Sequence, residues 1–241
     1  MSAVIPEPFT QVETSLEDVT WAAGTYVVED DVTIDGNVTV TGDVELIIKG
    51  GSELAVKNFS NNQQNKLSVY GQSQMSGELT ITSPSTVPAI HKFAELNVHS
   101  CKVSALSLCK DYGAVNLVNT VNVYGGSLDA KYVGSENGSG IRLANVNIYG
   151  GEVKAVGGGT ATIGSCAITS TALDNRTVTV YGGKLYTESP GAKAIYFDKV
   201  SLVKGEGYTG SLEFSENAMM WGVTTDWSTP DKDKPYVRVG Y

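Results

Sequence analysis

A formal charge of −9 over 241 residues, with 17 Lys and Arg against 26 Asp and Glu, argues against a nucleic-acid partner. No basic stripe offsets that charge, and no apolar run approaches the roughly eighteen residues of a membrane span. Twenty-seven Gly with only 7 Pro, and pervasive alternation of Val, Ile, Leu and Thr without helical periodicity, leave an all-β chain of many short strands.

Met1 to about Asp18 reads as an irregular lead-in with Pro6 and Pro8, in which Ser15–Asp18 could start one helical turn. Residues 1–24 are expected to cap the fold, because a first layer of strands otherwise exposes apolar interior and unpaired backbone. MSAVIPEPFT lacks the basic start and apolar core of a signal peptide, so an exported protein would have lost its leader from this form. Strand alternation begins at Thr25–Val28 and continues through Asp31–Ile34, Asn37–Val40 and Asp43–Lys49. Asp-Gly and Gly-Asp turns are expected to break it.

From there the chain repeats itself. VNVYGGSLDA (Val121–Ala130) has copies in LNVHSCKVSA from Leu96, VNIYGGEVKA from Val146 and VTVYGGKLYT from Val178. Looser copies start at Leu46, Leu67 and Val200. Three columns run down these copies. Leu54, Leu79, Val103, Leu128, Val153, Leu185 and Leu212 follow the Gly turn, stepping by 25, 24, 25, 25, 32 and 27 residues. Ile90, Val115, Ile141, Ile168 and Ile195 precede the Tyr motif, and Tyr70, His99, Tyr124, Tyr149 and Tyr181 occupy it.

Three columns of nearly one period describe a coil with three strand-bearing sides: a single-stranded, three-sided parallel β-helix of about seven or eight coils. It should be right-handed, as parallel crossovers usually are. The coils are assigned to residues 25–217 of one domain spanning 1–241, and 218–241 to a C-terminal cap closed by an edge strand at Tyr236–Val239. Period-2 alternation turns Val121, Val123, Leu128 and Ala130 inward, and Asn122, Tyr124 and Asp129 outward. The 32-residue step holds the extra segment Gly157–Cys166, read as an outward loop or broadened corner.

The glycine pairs 50–51, 125–126, 150–151 and 182–183 recur at every coil without a following helix or lysine loop, so they read as turns needing φ > 0 rather than phosphate cradles. Tyr70, His99, Tyr124, Tyr149 and Tyr181 form the first candidate ligand-binding face, since rows of exposed rings dock sugars and peptides; the same row can also simply stabilise neighbouring strands. His91, Asn116, Arg142, Thr169 and Tyr196 form a second, chemically mixed candidate face.

Carboxylates do not stack. Ala55, Thr80, Ser104, Lys154 and Tyr186 lie above and below Asp129, and Asp30, Asp31, Asp35 and Asp111 make no convincing pair. His91 and His99 are the only histidines and fall on different columns. No catalytic residue, metal site or cofactor is therefore assigned. Of three cysteines, Cys101 takes the place of a turn glycine and Cys166 a similar place in the extra segment; both read as buried thiols, with a Cys101–Cys109 link neither required nor excluded.

The run from Gly24 to Val56 (GTYVVEDDVTIDGNVTVTGDVELIIKGGSELAV), followed by KLSVYGQ, VNVYGGSLDA, VNIYGGEVKAVGG and VTVYGGKLYT, resembles the β-helical repeat regions of large secreted or cell-surface proteins of gut anaerobic bacteria. The resemblance covers about Thr25–Phe214 and implies a secreted or cell-surface location and an adhesin-like role. It carries over no catalytic residues. Pectate-lyase-like and polygalacturonase-like enzymes share the fold, but their clustered aspartates and Arg/Lys signatures are missing. The expected function is thus a non-catalytic extracellular module binding polysaccharide or a host or cell-surface protein. The alternatives are a polysaccharide lyase or glycoside hydrolase, and a plain spacer.

Overall fold

The computed structural model describes residues 7–72, 76–84, 86–159, 164–171, 173–228, 231 and 233–241. Among these there are strands but no helix, and the strands stack in parallel as a β-solenoid of about seven turns. One side is a nine-stranded sheet running from Thr10–Gln11 to Val200–Lys204. The other two sides belong to a single 15-stranded sheet that folds over itself.

The fold-over has a visible cause. Glu53–Ser60 is one long strand whose first half pairs with Glu78–Ser83 while Phe59 and Ser60 pair with Ile90 and His91. The strand beneath it, Val32–Val40, is also continuous, with a register shift between Ile34 and Asn37. Asp35-Gly36 was expected to break this segment; instead it bends the strand. A side chain at Gly36 would lie 2.4 Å from the carbonyl oxygen of Glu17, so the bend brings two backbones too close for any Cβ.

The stacking register follows the repeat. Val103, Leu128, Val153 and Leu185 succeed one another on adjacent strands, as do Ile90, Val115, Ile141 and Ile168. Val121, Val123, Leu128 and Ala130 are fully buried in one continuous core. Each coil's apolar face is thus covered by the coils above and below, and strands whose hydrogen bonds run along the stack satisfy their own backbone.

Three expectations fail at the ends. Ser15–Asp18 forms no helical turn: Ser15 bridges Ile34, and its Oγ accepts the Glu17 N–H at 3.1 Å. The lead-in is a partial first coil, with Thr10–Gln11 paired to Tyr26 and Val27 and Val19–Trp21 paired to Val38–Val40. Leu212 does not stack on Leu185, because Val239 lies between and pairs with both. Tyr236–Val239 is therefore no edge strand. It runs antiparallel between Lys184–Glu188 and Leu212–Ser215, and Gly222–Thr224 takes the edge. Pro6, the 160–163 part of the extra segment and residues 229, 230 and 232 of the tail lie outside the described residues. On either side of residues 160–163, Gly158 bridges Gly138, and Cys166 and Ala167 are buried.

Candidate functional site: an aromatic ladder on the first sheet

In each VxVYGG copy the two apolar residues face inward and the aromatic ring stands outside, next to the corner. The corner is made by the second glycine: φ is +89° at Gly51, +71° at Gly126, +72° at Gly151 and +72° at Gly183, a region costly for residues with a Cβ. Cys101, at the same place, is not among the positive-φ residues. Its side chain turns into the core, where Sγ donates to the Gly77 carbonyl at 3.0 Å, and burial pushes the thiol up to about 12. Cys109 and Cys166 are also buried, and no disulfide joins any of the three cysteines.

Because the corner recurs at every coil, the rings stack. Tyr70 to His99 is 4.3 Å between centroids, His99 to Tyr124 4.7 Å, Tyr124 to Tyr149 5.0 Å and Tyr149 to Tyr181 4.8 Å, with planes within 9° of parallel. The strand spacing dictates that repeat. The first candidate set is thus brought together as one five-ring ladder. Register places Ile47 beneath Tyr70. At the other end Gly205 closes the ladder, since a Cβ there would lie 2.5 Å from the Tyr181 ring.

The geometry limits what the ladder can do. Inside it, each ring face is covered by its neighbour, so what faces solvent is a ridge of ring edges and hydroxyls. Tyr124, Tyr149 and Tyr181 are 46%, 43% and 41% exposed. Burial pushes the phenols of Tyr70 and Tyr149 upward and the His99 imidazole downward, which favours the neutral form of these three rings.

A second ladder runs beside it, one that the sequence reading did not single out. Asn122 donates through Nδ2 to Asn97 Oδ1 at 2.8 Å, and Asn147 donates to Asn122 Oδ1 at 2.9 Å. Asn97 and Asn122 are each only 8% exposed although their side chains leave the outer face. The signal was present as Asn in the second place of LNVH, VNVY and VNIY.

The other candidate set stacks but is not an open face. His91, Asn116, Arg142 and Thr169 follow one another in register, and Tyr196 continues the column through its N–H to Ile168. Asn116 and Thr169, however, are buried. The loop at Asp111 and Tyr112 engages the column at Arg142, which donates to the Asp111 carbonyl and lies over the Tyr112 ring at 5.6 Å. Lys92, Leu117 and Leu143, each directly after a member of the column, turn the corner at φ of 63°, 55° and 59°. This set supplies a folded corner rather than a groove.

Register also creates one carboxylate adjacency that the sequence reading did not anticipate, Glu53 beside Glu78. Lys102 engages Glu78 at 2.6 Å, and the Glu53 N–H is held by Asp31. Asp35 pairs with Lys57 at 2.8 Å. Among the described residues no group of three or more His, Cys, Asp and Glu is placed to hold a metal ion. A third cluster, also unforeseen, gathers Tyr186, Trp221 and Tyr241 around Arg238, whose guanidinium sits 3.9 Å from the Trp221 ring centre and bonds the buried Glu213 at 2.6 and 2.9 Å. Its own strands use it to hold the C-terminal strand in place.

The molecule is thus a parallel β-solenoid carrying paired aromatic and asparagine ladders on one side. No family model, curated protein or solved structure matches it.

Proposed function

We propose that the chain is a non-catalytic recognition module, displayed outside the cell, that contacts a protein partner along the aromatic and asparagine ladders. One observation carries the choice of partner: the interior ring faces of the ladder are spent on one another. A sugar ring that docks by stacking needs an open ring face, whereas a protein surface packs against tyrosine edges and bonds to their hydroxyls. The extracellular setting rests on the resemblance of the VxVYGG repeats to secreted and cell-surface β-helical regions.

The test compares the native chain with Tyr124→Ala/Tyr149→Ala and Tyr124→Phe/Tyr149→Phe on glycan arrays and on surface proteins of candidate host cells. Removing two anchoring rings should cost a true partner on the order of 1–3 kcal/mol, roughly 5- to 150-fold in affinity. The Phe pair keeps the stack and removes only the hydroxyls. A chain that binds nothing at millimolar concentration, or whose binding ignores the Ala pair, is a spacer. Glycan binding lost in the Phe pair would instead favour edge-on recognition of polysaccharide, and product release from a polysaccharide would favour the enzyme.

A further inference from the structure

The nine-stranded sheet ends at Val200–Lys204, which pairs on one side only, with Arg176–Val180. Two bonds fix the phase of that pairing: Arg176 N–H to the Lys199 carbonyl at 2.8 Å, and Gly205 N–H to the Val180 carbonyl at 2.8 Å. In a parallel ladder alternate residues bond to the same neighbour. Residues 199, 201, 203 and 205 therefore face the inner strand, and Leu202 and Lys204 direct their N–H and C=O groups the other way. Among the described residues nothing bonds to the backbone of these two. The other sheet is closed differently at this end, by antiparallel strands laid across it.

The side chains on this edge are selective. Lys204 occupies the inward column formed below it by Val69, Val98, Val123, Ile148 and Val180, all fully buried, yet Lys204 itself is exposed. A further apolar coil, such as a second copy stacked end to end, would trap its ammonium group without a partner. Lys199 stands at the strand's other end. Neither lysine makes an ion pair among the described residues, and Asp198 and Glu206 lie outside the strand without pairing to either. Val203 points outward and is 41% exposed.

We infer that Val200–Lys204 is an acceptor edge for an extended segment of a partner protein, which adds as the next strand with an apolar residue beside Val203 and an Asp or Glu beside Lys204. Main-chain bonds to Leu202 and Lys204 supply the attachment, and the carboxylate opposite Lys204 supplies the selection. The neighbouring sheet continues at this end in antiparallel strands, which do not match the parallel edge of a whole solenoid coil. Val203 continues the Asn97, Asn122, Asn147 and Thr179 column at the end of the ridge, but no ladder ring belongs to the edge strand, so removing the Tyr124 and Tyr149 rings tests the ladder without touching the edge.

The experiment uses two fluorescein-labelled peptides of alternating Thr and Val, one ending in Glu and one in Lys, titrated into the full chain by fluorescence polarisation. The Glu peptide should bind at least about tenfold more tightly than the Lys peptide, and Lys204→Glu should reverse that order. Lys204→Pro, which removes an outward N–H, should abolish binding of both. Hydrogen exchange at Leu202 and Lys204 should slow in the complex, and Tyr124→Ala/Tyr149→Ala should leave peptide affinity unchanged. Equal affinity for the two peptides, indifference to Lys204→Glu in a variant that melts like the native chain, or no binding at millimolar peptide would overturn the proposal and leave Lys204 as a guard against self-association.

Discussion

The second glycine of each corner pair separates two costs that usually come together. A Cβ at Gly151 would sit 2.4 Å from the Gly126 carbonyl oxygen, while one at Gly51 meets nothing within 4 Å, although both corners have positive φ. Gly51→Ala should therefore cost only the left-handed backbone term, about 1–2 kcal/mol. Gly151→Ala should cost clearly more, because two stacked backbones must also move apart, and urea denaturation of the pair reads the difference. The histidines give a pH dependence of definite sign. Burial lowers His91 from 6.5 to about 4, with Lys92 adding to it, and His99 shifts the same way. The unfolded chain takes up these protons near 6.5 and the folded chain does not. The stability they contribute is complete above that pH and is lost as the pH falls from 6.5 towards about 4. Melting temperature should drop across this window, and His91→Asn should flatten the drop. Asp18, whose carboxyl is lowered by bonds from Asn37, acts only at lower pH.

At the scale of the strand, a ladder predicts its own non-uniformity. Tyr124 has a ring on each face, and Tyr181 has one on one face and the Gly205 backbone on the other. With about 0.5–1.5 kcal/mol per ring pair beyond area burial, Tyr124→Leu should cost roughly twice what Tyr181→Leu costs. Equal losses in thermal melts would mean that the rings contribute area and not stacking. The inward columns and this ladder were legible in the sequence because strand alternation and the 25-residue repeat both report on side-chain direction, and stacking adds nothing that either contradicts. What escaped depends on contacts between distant segments. The lead-in gave no repeat to read, yet its backbone completes the first coil. Asn116 and Thr169 lie on the outward phase yet are buried, and Arg142 between them is held by the distant loop at Asp111. Leu212 keeps the period and loses its place because an antiparallel strand from the chain's end intrudes.

That intruding strand decides how the whole molecule should come apart. A solenoid is held by nearest-neighbour interfaces, so its coils can open from an end while the middle persists, unless the end is clamped. Here Tyr236–Val239 ties Lys184–Glu188 to Leu212–Ser215, with Val237 and Val239 fully buried and Arg238 bonded to Glu213, whose side chain is only 8% exposed. Arg238→Met leaves that carboxylate buried and unpaired, a loss of about 3–5 kcal/mol, and adding Glu213→Gln should recover much of it. The loss should also be local. Hydrogen exchange followed by mass spectrometry should show Arg238→Met accelerating exchange in Lys184–Glu188 and Leu212–Ser215 first. Lys102–Ser107 and Ser127–Tyr132, three and two strands further in, should keep native protection until global unfolding. A uniform rise along the chain would show instead that the solenoid unfolds as one cooperative unit, and that the clamp stabilises all of it rather than its end.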